Sequence, residues 1–444
     1  MISTLRHRWY EMRSSFWFVP ACIVVGSVAI ALAVIQVDAA LRLHEQERQS
    51  WLLGAGADGA RGLLTAVASS MITVAGVVFS ITIVALSLTS SQYTSRVLLN
   101  FMRDRTNQSV LGVFVGIFAY CLVVLRTIRG GDEGAFVPPL AVMGGLLLAF
   151  VGIALLIYFI HHISVSIQAS SILATAAQET IAAVDQLFPE SLGDDADEAA
   201  SAPATSTPAA HVWSAVAAAK TGYLETVHEE ALLAWAREHE TVLRMERGIG
   251  EFVVEGTSLV SVARPVDDAA AAELNALYVI SRQRTLHQDA SFGIRQIVDV
   301  ALKALSPGVN DTTTAVMCVD YLSAILVRLA GRSLPTPHRL DEGELRVIAR
   351  GPSFETLLAD AFDQIRQNAG GNVAVLTRQL RALELIASGT SSARRRRVLR
   401  THADLIAAEA QRTISSPHDS AGVASCMLRL SRALEVRGRR LASR

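Results

Sequence analysis

Long apolar runs without charged residues dominate the first 178 residues of the chain. Four stretches contain no Asp, Glu, Lys or Arg, and they are Ser14 to Val37, Gly62 to Ser95, Thr106 to Leu125 and Gly134 to Gln178. A helix needs about 20 mainly apolar residues to cross the roughly 30 Å hydrocarbon layer of a membrane. The pattern therefore predicts four membrane-spanning helices, with cores at residues 16–35, 63–88, 108–125 and 138–160.

The second predicted span carries hydroxyl and glycine residues along one side. At 100° per residue they fall within an arc of about 80°, and they are Thr65, Ser69, Thr73, Gly76, Ser80, Ser87 and Ser91. Two explanations compete. Small residues allow helices to pack closely in lipid, whereas a ring of such helices around an oligomer axis would line a water-filled path. Because the span cores contain no Asp, Glu, His, Lys or Arg, a passive path is favoured over a proton-coupled pump.

Composition and cysteine usage narrow the class of protein. The chain is 51% hydrophobic and 18% charged, with a formal net charge of −1, which excludes intrinsic disorder and a strongly basic nucleic-acid binder. The Lys/Arg count around the spans, six on the terminal side against five opposite, barely biases the orientation. Four scattered cysteines without disulfide or metal spacing favour a reducing compartment for the large tail. We expect a multi-pass membrane protein with both termini in the cytoplasm.

The remaining chain predicts a mostly helical domain with a small β unit. Residues 189–210 are acidic and then rich in Ala, Pro and Ser, which is typical of a flexible insertion. Residues 250–262 predict two short strands joined by a glycine turn, as in barrel-sandwich-like units. We divide the chain into a four-helix transmembrane domain over residues 1–178, a cytoplasmic α+β domain with an αα-hairpin over 211–335, and a C-terminal helical bundle over 336–444. The fold class is mainly α.

A dense polar segment lies inside the α+β domain. Asp289 is placed to cap a helix that runs to Leu305, the Pro307-Gly308 pair forces a turn, and Asn310 or Asp311 is placed to cap a second helix. The structural interpretation is a well-capped αα-hairpin with internal Arg/Asp pairs. The functional interpretation is a ligand or gating site, whose candidates are Arg284, Asp289, Arg295, Asn310 and Asp311.

Candidate chemistry is otherwise sparse. Arg394 to Arg397 form a basic run in one of four predicted C-terminal helices, which most often means a solvated helix face, with anionic lipid headgroups as the next candidate. The sequence contains no phosphate loop, zinc-binding helix, paired cysteines, nucleophile elbow or kinase signature. We therefore expect no enzyme activity, metal or cofactor, and no nucleic-acid partner.

The polar segment also carries a resemblance to a known family. Its motif reads Arg284-Thr285, Gln288-Asp289, Phe292-Gly293-Ile294-Arg295, Leu305-Ser306-Pro307-Gly308-Val309-Asn310-Asp311 and Thr314-Ala315. Preceded by four spans and the glycine-turn strands, this string resembles a bacterial family of predicted membrane proteins, domain of unknown function 2254, over nearly the whole chain. The resemblance implies a membrane location and this architecture. Because the family has no accepted activity, the resemblance implies no catalytic residue.

These observations lead to two functional hypotheses. The first is a homo-oligomer in the lipid bilayer whose second spans face the axis and form a path for ions or small solutes, gated by the cytoplasmic domain. The alternative is a non-conducting membrane scaffold or sensor, in which the hydroxyl side only packs spans together and the cytoplasmic domain binds a ligand or partner.

Overall fold

The computed structural model describes residues 17–42, 56–92, 104–129, 136–188, 213–286, 288–334 and 336–441. The chain forms two compact units, Met1–Gln168 and Ala169–Arg444. The described part of the chain is mainly helical, with 71% of these residues in helices and a small sheet region. The insertion predicted at residues 189–210 lies outside the described residues.

Long apolar helices form the first unit. They are α1 (Phe18–Arg42), α2 (Gly56–Gln92), α3 (Arg105–Thr127) and α4 (Pro139–Ser166). Each coincides with one predicted span and continues past its end. Helix α2 has 37 residues, which corresponds to about 55 Å at 1.5 Å per residue and exceeds the hydrocarbon thickness of a bilayer.

Helix α3 is central to the first unit because it contacts the other three helices. Two glycines bring it close to α1. A Cβ atom added to Gly112 would lie 2.8 Å from Ile23 Cδ1, and one added to Gly116 would lie 2.5 Å from Ser27 Oγ. Such a Gly-x-x-x-Gly spacing lets two helix backbones approach closely. Helices in lipid depend on this close packing, because the hydrophobic effect does not drive them together there.

The first unit ends at Gln168, ten residues before the predicted boundary at 178. The next helix, α5 (Ala169–Leu187), belongs to the second unit and buries Leu173, Ala176 and Val184 there. Residues 169–178 form the first half of this helix, and they are mainly Ala, Ser and Thr without a charged residue. The absence of charge alone does not distinguish such a helix from the end of a span.

Two sheets lie in the second unit. One has the strand order β1-β5-β3-β8-β7, with β3 and β8 parallel and the other pairs antiparallel; the other has the antiparallel order β4-β2-β6. The strands are β1 (Ser214–Ala217), β2 (Gly222–Val227), β3 (Leu243–Met245), β4 (Phe252–Val253), β5 (Ser258–Val262), β6 (Tyr278–Ser281), β7 (His338–Asp341) and β8 (Glu344–Ile348).

The two strands predicted within residues 250–262 are present as β4 and β5, but they do not pair with each other. Strand β4 pairs with β2, and β5 pairs with β1 and β3. The glycine turn at Gly256, with φ of +82°, carries the chain from one sheet to the other. Apolar side chains of both sheets, including Leu224, Val253 and Leu259, share one buried core.

Helices make up the rest of the second unit. They are α6 (Glu229–Glu238), α7 (Asp268–Ala276), α8 (Ala290–Leu305), α9 (Thr312–Ala330), α10 (Phe354–Asn368), α11 (Val373–Gly389), α12 (Ala393–Thr413) and α13 (Pro417–Leu441). Strands β7 and β8 follow residue 335, yet β8 pairs with β3. Residues 211–335 and 336–444 therefore share one compact unit instead of forming the two predicted domains.

A fifth helix in the described residues is long and apolar enough to cross a membrane. This helix is α9; the other four helices that are long and apolar enough are α1 to α4 of the first unit. Helix α9 contacts α5, α8, α10 and α11, and its residues Cys318, Leu322 and Ile325 are fully buried. A helix that is surrounded by other helices needs apolar residues on most of its surface. Burial within the second unit therefore accounts for the composition of α9.

Candidate functional site

The hydroxyl and glycine side of α2 is exposed in the subunit. Its exposed members are Thr65, Ser69, Thr73, Gly76, Ser80 and Ser87. Ser91 belongs to the same helix, and its side chain falls outside those that the structure describes. The described members of this set therefore lie together on one exposed side of α2.

The buried side of α2 faces nearly the opposite direction. Its buried residues include Leu64, Ala68, Met71, Ala75 and Val78. At 100° per residue, the centre of this set lies about 140° from the centre of the hydroxyl side. Among the described residues, packing between the spans therefore does not explain the hydroxyl side.

Two of the exposed hydroxyl groups, those of Thr73 and Ser80, donate hydrogen bonds within their own helix. Thr73 Oγ1 donates to the Ser69 carbonyl at 2.8 Å, and Ser80 Oγ donates to the Gly76 carbonyl at 2.9 Å. These bonds satisfy the hydroxyl hydrogens, while the hydroxyl oxygens can still accept hydrogen bonds from water or from another helix. Among the described residues, no atom beyond the adjacent backbone of α2 lies within 4 Å of a Cβ built on Gly76.

In the second unit, Arg284 and Asp289 form a two-pronged ion pair where α8 begins. Arg284 Nε lies 2.7 Å from Asp289 Oδ2, and Arg284 Nη2 lies 2.9 Å from Asp289 Oδ1. Asp289 also caps α8, because its Oδ1 accepts a hydrogen bond from the Phe292 N–H at 3.0 Å. Burial raises the pKa of Asp289, and the charge of Arg284 opposes that rise.

Gly250 lies directly against this pair. Its φ is +83°, and a Cβ atom there would lie 2.7 Å from Arg284 Nη2 and would also collide with Asp289 Oδ2. Both the backbone conformation and the space available therefore require glycine. Gly250 follows β3, so the ion pair joins the sheet region to the first turn of α8.

Other polar residues of the segment attach it to β2. The Glu225 carboxylate accepts hydrogen bonds from Ser281 Oγ and from Thr285 Oγ1, the latter at 3.1 Å. Gln288 Oε1 accepts a hydrogen bond from the Val227 N–H at 3.0 Å. These hydrogen bonds hold the chain between β6 and α8 against strand β2, so the polar residues have a structural role.

Arg295 belongs to the same charged cluster. Its Nε lies 2.7 Å from Asp299 Oδ1, one turn further along α8. Across from them, burial raises the pKa of Asp360 on α10, while the charges of Arg284 and Arg295 lower it. The structure thus brings together three of the five predicted ligand or gating residues, Arg284, Asp289 and Arg295.

Asn310 and Asp311 lie at the other end of α8. Asp311 caps α9, because it accepts hydrogen bonds from the N–H and the hydroxyl of Thr314 at 3.0 and 2.6 Å. The hydroxyl bond from Thr314 holds the pKa of Asp311 below its usual range. Asn310 adopts a left-handed backbone with φ of +50° in the turn. Since the 16 residues of α8 separate this turn from Asp289 by about 24 Å, the five candidates do not form one site.

The basic run on α12 divides into two pairs. Arg395 is buried and donates from Nη1 to the carbonyls of Ala330 and Arg332, at 3.0 and 2.9 Å, just where α9 ends. Arg396 is buried and donates to the Thr390 carbonyl at 3.2 Å. Arg394 and Arg397 are exposed. The run is therefore not a single solvated face.

Two carboxylate contacts in the first unit were not predicted from the sequence. Asp38 of α1, 2% exposed, accepts hydrogen bonds from the N–H groups of Leu140 and Ala141 at the start of α4. Asp104 caps α3 and lies 2.7 Å from His162 Nε2, near the end of α4. Partners more than 50 residues apart leave no local pattern. The Gly112/Gly116 spacing, by contrast, was visible in the sequence and was missed.

Comparisons with known proteins place these features in a family. Residues 13–385 match the family described as "Predicted membrane protein (DUF2254)". An uncharacterized protein of Mycobacterium tuberculosis is 37% identical over 440 residues, which covers 96% of this chain and 82% of that protein. An uncharacterized protein of Mycobacterium bovis has the same identity and coverage. No solved structure matches the chain.

Proposed function

Because the chain belongs to this DUF2254 family of predicted membrane proteins, we propose that it crosses a bacterial inner membrane four times, with both termini in the cytoplasm. The burial of α9 in the second unit supports four spans over five. Cys22, Cys121, Cys318 and Cys426 are all free thiols, which suits a tail in a reducing compartment.

We further propose that copies of the chain assemble with α2 facing a common axis and form a path for ions or small solutes. The observation that carries this proposal is the exposure of the hydroxyl and glycine side of α2, away from the side that packs within the subunit. Lipid chains offer hydroxyl groups no hydrogen-bond partner. Hydroxyl oxygens stabilise water and partly dehydrated ions without adding a fixed charge.

A second candidate is a non-conducting scaffold or sensor whose α2 helices only pack against each other. The hydrogen bonds of Thr73 and Ser80 to their own helix favour this alternative, because the hydroxyl hydrogens of these two residues need no water as acceptor. Small residues also permit close α2–α2 contact in lipid. Both candidates require a homo-oligomer, and they differ in whether the hydroxyl side is wet.

We assign no catalytic activity to the chain. The polar side chains nominated from the sequence are engaged in helix caps and ion pairs, as described for Asp289, Arg295 and Asp311. Such uses account for these residues without a reaction.

Adjacent serines on α2 allow a matched test of the wet path. Ser69 and Ser70 are both exposed at the same depth, but they point about 100° apart, and only Ser69 lies on the hydroxyl side. Single cysteines are introduced at Ser69, Ser80 or Ser70 in a Cys22→Ser background, and the KCl conductance of reconstituted bilayers is recorded. A charged, water-soluble thiol reagent should change the conductance of Ser69→Cys and Ser80→Cys and leave Ser70→Cys unchanged.

Other outcomes discriminate between the two candidates. Absence of any conductance, or a monomer in detergent, contradicts the channel proposal. Spontaneous disulfides between subunits at Ser69→Cys without conductance support the scaffold. Replacing Ser69, Thr73 and Ser80 together by Ala should reduce throughput if the path is wet, whereas packing should survive these small apolar substitutions.

A further inference from the structure

A cavity of about 220 Å³ opens on the second unit between α10 and α12. Its lining is Glu355, Arg394, Arg397, Val398, Thr401 and His402. Glu355 comes from the first turn of α10, and the other lining residues come from one side of α12. The charged lining therefore consists of two guanidinium groups and one carboxylate, with an imidazole beside them.

The two lining arginines differ from Arg395, Arg396 and Arg412 of the same helix; Arg400 resembles the lining pair among the described residues but lies outside the cavity. Arg395 and Arg396 donate to backbone carbonyls, and Arg412 pairs with Glu409 at 2.6 Å. Within the described part of the chain, by contrast, the guanidinium groups of Arg394 and Arg397 have neither an ion-pair nor a hydrogen-bond partner. Two positive charges three residues apart on a helix repel each other unless an anion lies between them.

His402 is the buried member of the lining, with 7% of its surface exposed. Its Nδ1 lies 3.5 Å from Asp363 Oδ1, and Asp363 also contacts Arg366 Nη2 at 3.4 Å. With Nδ1 directed at this carboxylate, the other ring nitrogen remains available to a ligand. Thr401 adds a hydroxyl group on the same side of α12.

We propose that this cavity binds a small phosphate ester, whose phosphate is held between Arg394 and Arg397. A guanidinium group presents a planar fork of donors that matches phosphate oxygens, and two such forks with a hydroxyl group match the several acceptor oxygens of a phosphate better than the two of a carboxylate. Glu355 cannot bind phosphate. It accepts hydrogen bonds, so the ligand should also carry a hydroxyl group next to its phosphate.

A soluble metabolite and a phospholipid headgroup can both present a phosphate ester with a neighbouring hydroxyl. Glycerol 3-phosphate serves as the soluble probe, and nanodiscs of phosphatidylglycerol against phosphatidylcholine serve as the lipid probe. Saturable binding of either phosphate probe through these arginines supports the site, and the arm that binds identifies the source. This inference does not depend on whether the chain conducts ions.

The test is calorimetric titration of the full-length protein at constant ionic strength. In the arm that binds, the double variant Arg394→Gln/Arg397→Gln should weaken the affinity at least tenfold, since charge-assisted hydrogen bonds to phosphate are lost. The matched control is Arg400→Gln, an exposed arginine of α12 outside the cavity, and its affinity should stay within twofold of the wild type. Glu355→Gln should remove any preference for glycerol 3-phosphate over inorganic phosphate.

Several results would overturn the proposal. One is the absence of saturable binding in both arms, for a protein whose melting curve shows it to be folded. Another is equal weakening by Arg400→Gln and the double variant, which indicates attraction by general positive charge. Tight binding that survives the double variant places the ligand elsewhere.

Discussion

Asp38 caps a helix that begins 101 residues after it. Its carboxylate accepts hydrogen bonds from the Leu140 N–H at 3.2 Å and the Ala141 N–H at 3.0 Å. These are the second and third positions of α4, whose own cap residue, Pro138, makes no side-chain cap bond. Asp38, a residue of α1, thus accepts hydrogen bonds from the first turn of α4, a role usually filled by a serine or aspartate at the cap position.

This relationship predicts that Asp38 stabilises the first unit. Asp38→Ala leaves two buried N–H groups without acceptors and should cost about 2–3 kcal/mol, as expected for hydrogen bonds to a charged group. The measurement is the free energy of unfolding in detergent. Asp58→Ala is the control, because its side chain is 99% exposed and its ion pair is with the neighbouring Arg61, so it should change stability by less than about 0.5 kcal/mol. Equal effects of the two substitutions would contradict the capping role.

The close approach of α1 and α3 predicts a contrast between two glycines. Gly112→Val should destabilise the first unit by about 2 kcal/mol or more, because a side chain there meets Ile23 Cδ1 at 2.8 Å and Pro20 Cα at 2.9 Å. A Cβ at Gly76 meets no described atom beyond the adjacent backbone of α2, so the Gly76→Val monomer should unfold as in the wild type. If α2 packs against other copies, Gly76→Val should still shift the oligomer distribution in multi-angle light scattering. A subunit that tolerates Gly112→Val would rule out the tight α1–α3 contact.

The Arg284–Asp289 pair predicts a larger effect than a helix cap alone. Asp289→Ala removes the cap of α8 and leaves the Arg284 guanidinium, 21% exposed, without its partner. We expect a loss of about 2–4 kcal/mol in thermal or urea unfolding. Asp267→Ala removes only the exposed cap of α7 and should cost about 1 kcal/mol. If both substitutions cost the same, the ion pair contributes nothing to stability.

His402 predicts a pH dependence of the second unit. Burial lowers its pKa, Arg366 lowers it further, and Asp363 and Glu355 raise it; the cavity arginines Arg394 and Arg397 also face it. The unfolded imidazole takes up a proton near pH 6.5, while the folded one does so only at lower pH. Stability should therefore be highest above pH 6.5 and fall as the pH drops below it.

The measurement for His402 is the unfolding midpoint of the full chain between pH 8 and pH 5.5. His402→Gln should lose part of the decline seen below pH 6.5 in the wild type. His418→Gln, at an exposed position, serves as the control and should follow the wild-type curve. A wild-type-like decline in His402→Gln would assign the pH dependence to other groups.

Local features of the sequence were sufficient for the helices. Four charge-free runs placed α1 to α4, and the predicted side-chain caps at Asp289 and Asp311 placed the starts of α8 and α9. Both kinds of signal depend on residues that are neighbours in the chain, so a single sequence contains them. The family followed from the motif between Arg284 and Ala315, and the comparison confirms it.

The environment of each side chain depended on contacts between distant segments. Arg395 and Arg396 are adjacent to Arg394 and Arg397, yet the first two bind backbone carbonyls while the other two line a cavity. The five polar candidates separated into two groups because a straight helix holds its ends apart. The hydroxyl side of α2 was visible as a pattern in the sequence. Its exposure depended on which other side of α2 the remaining helices cover, and such long-range packing has no local signature.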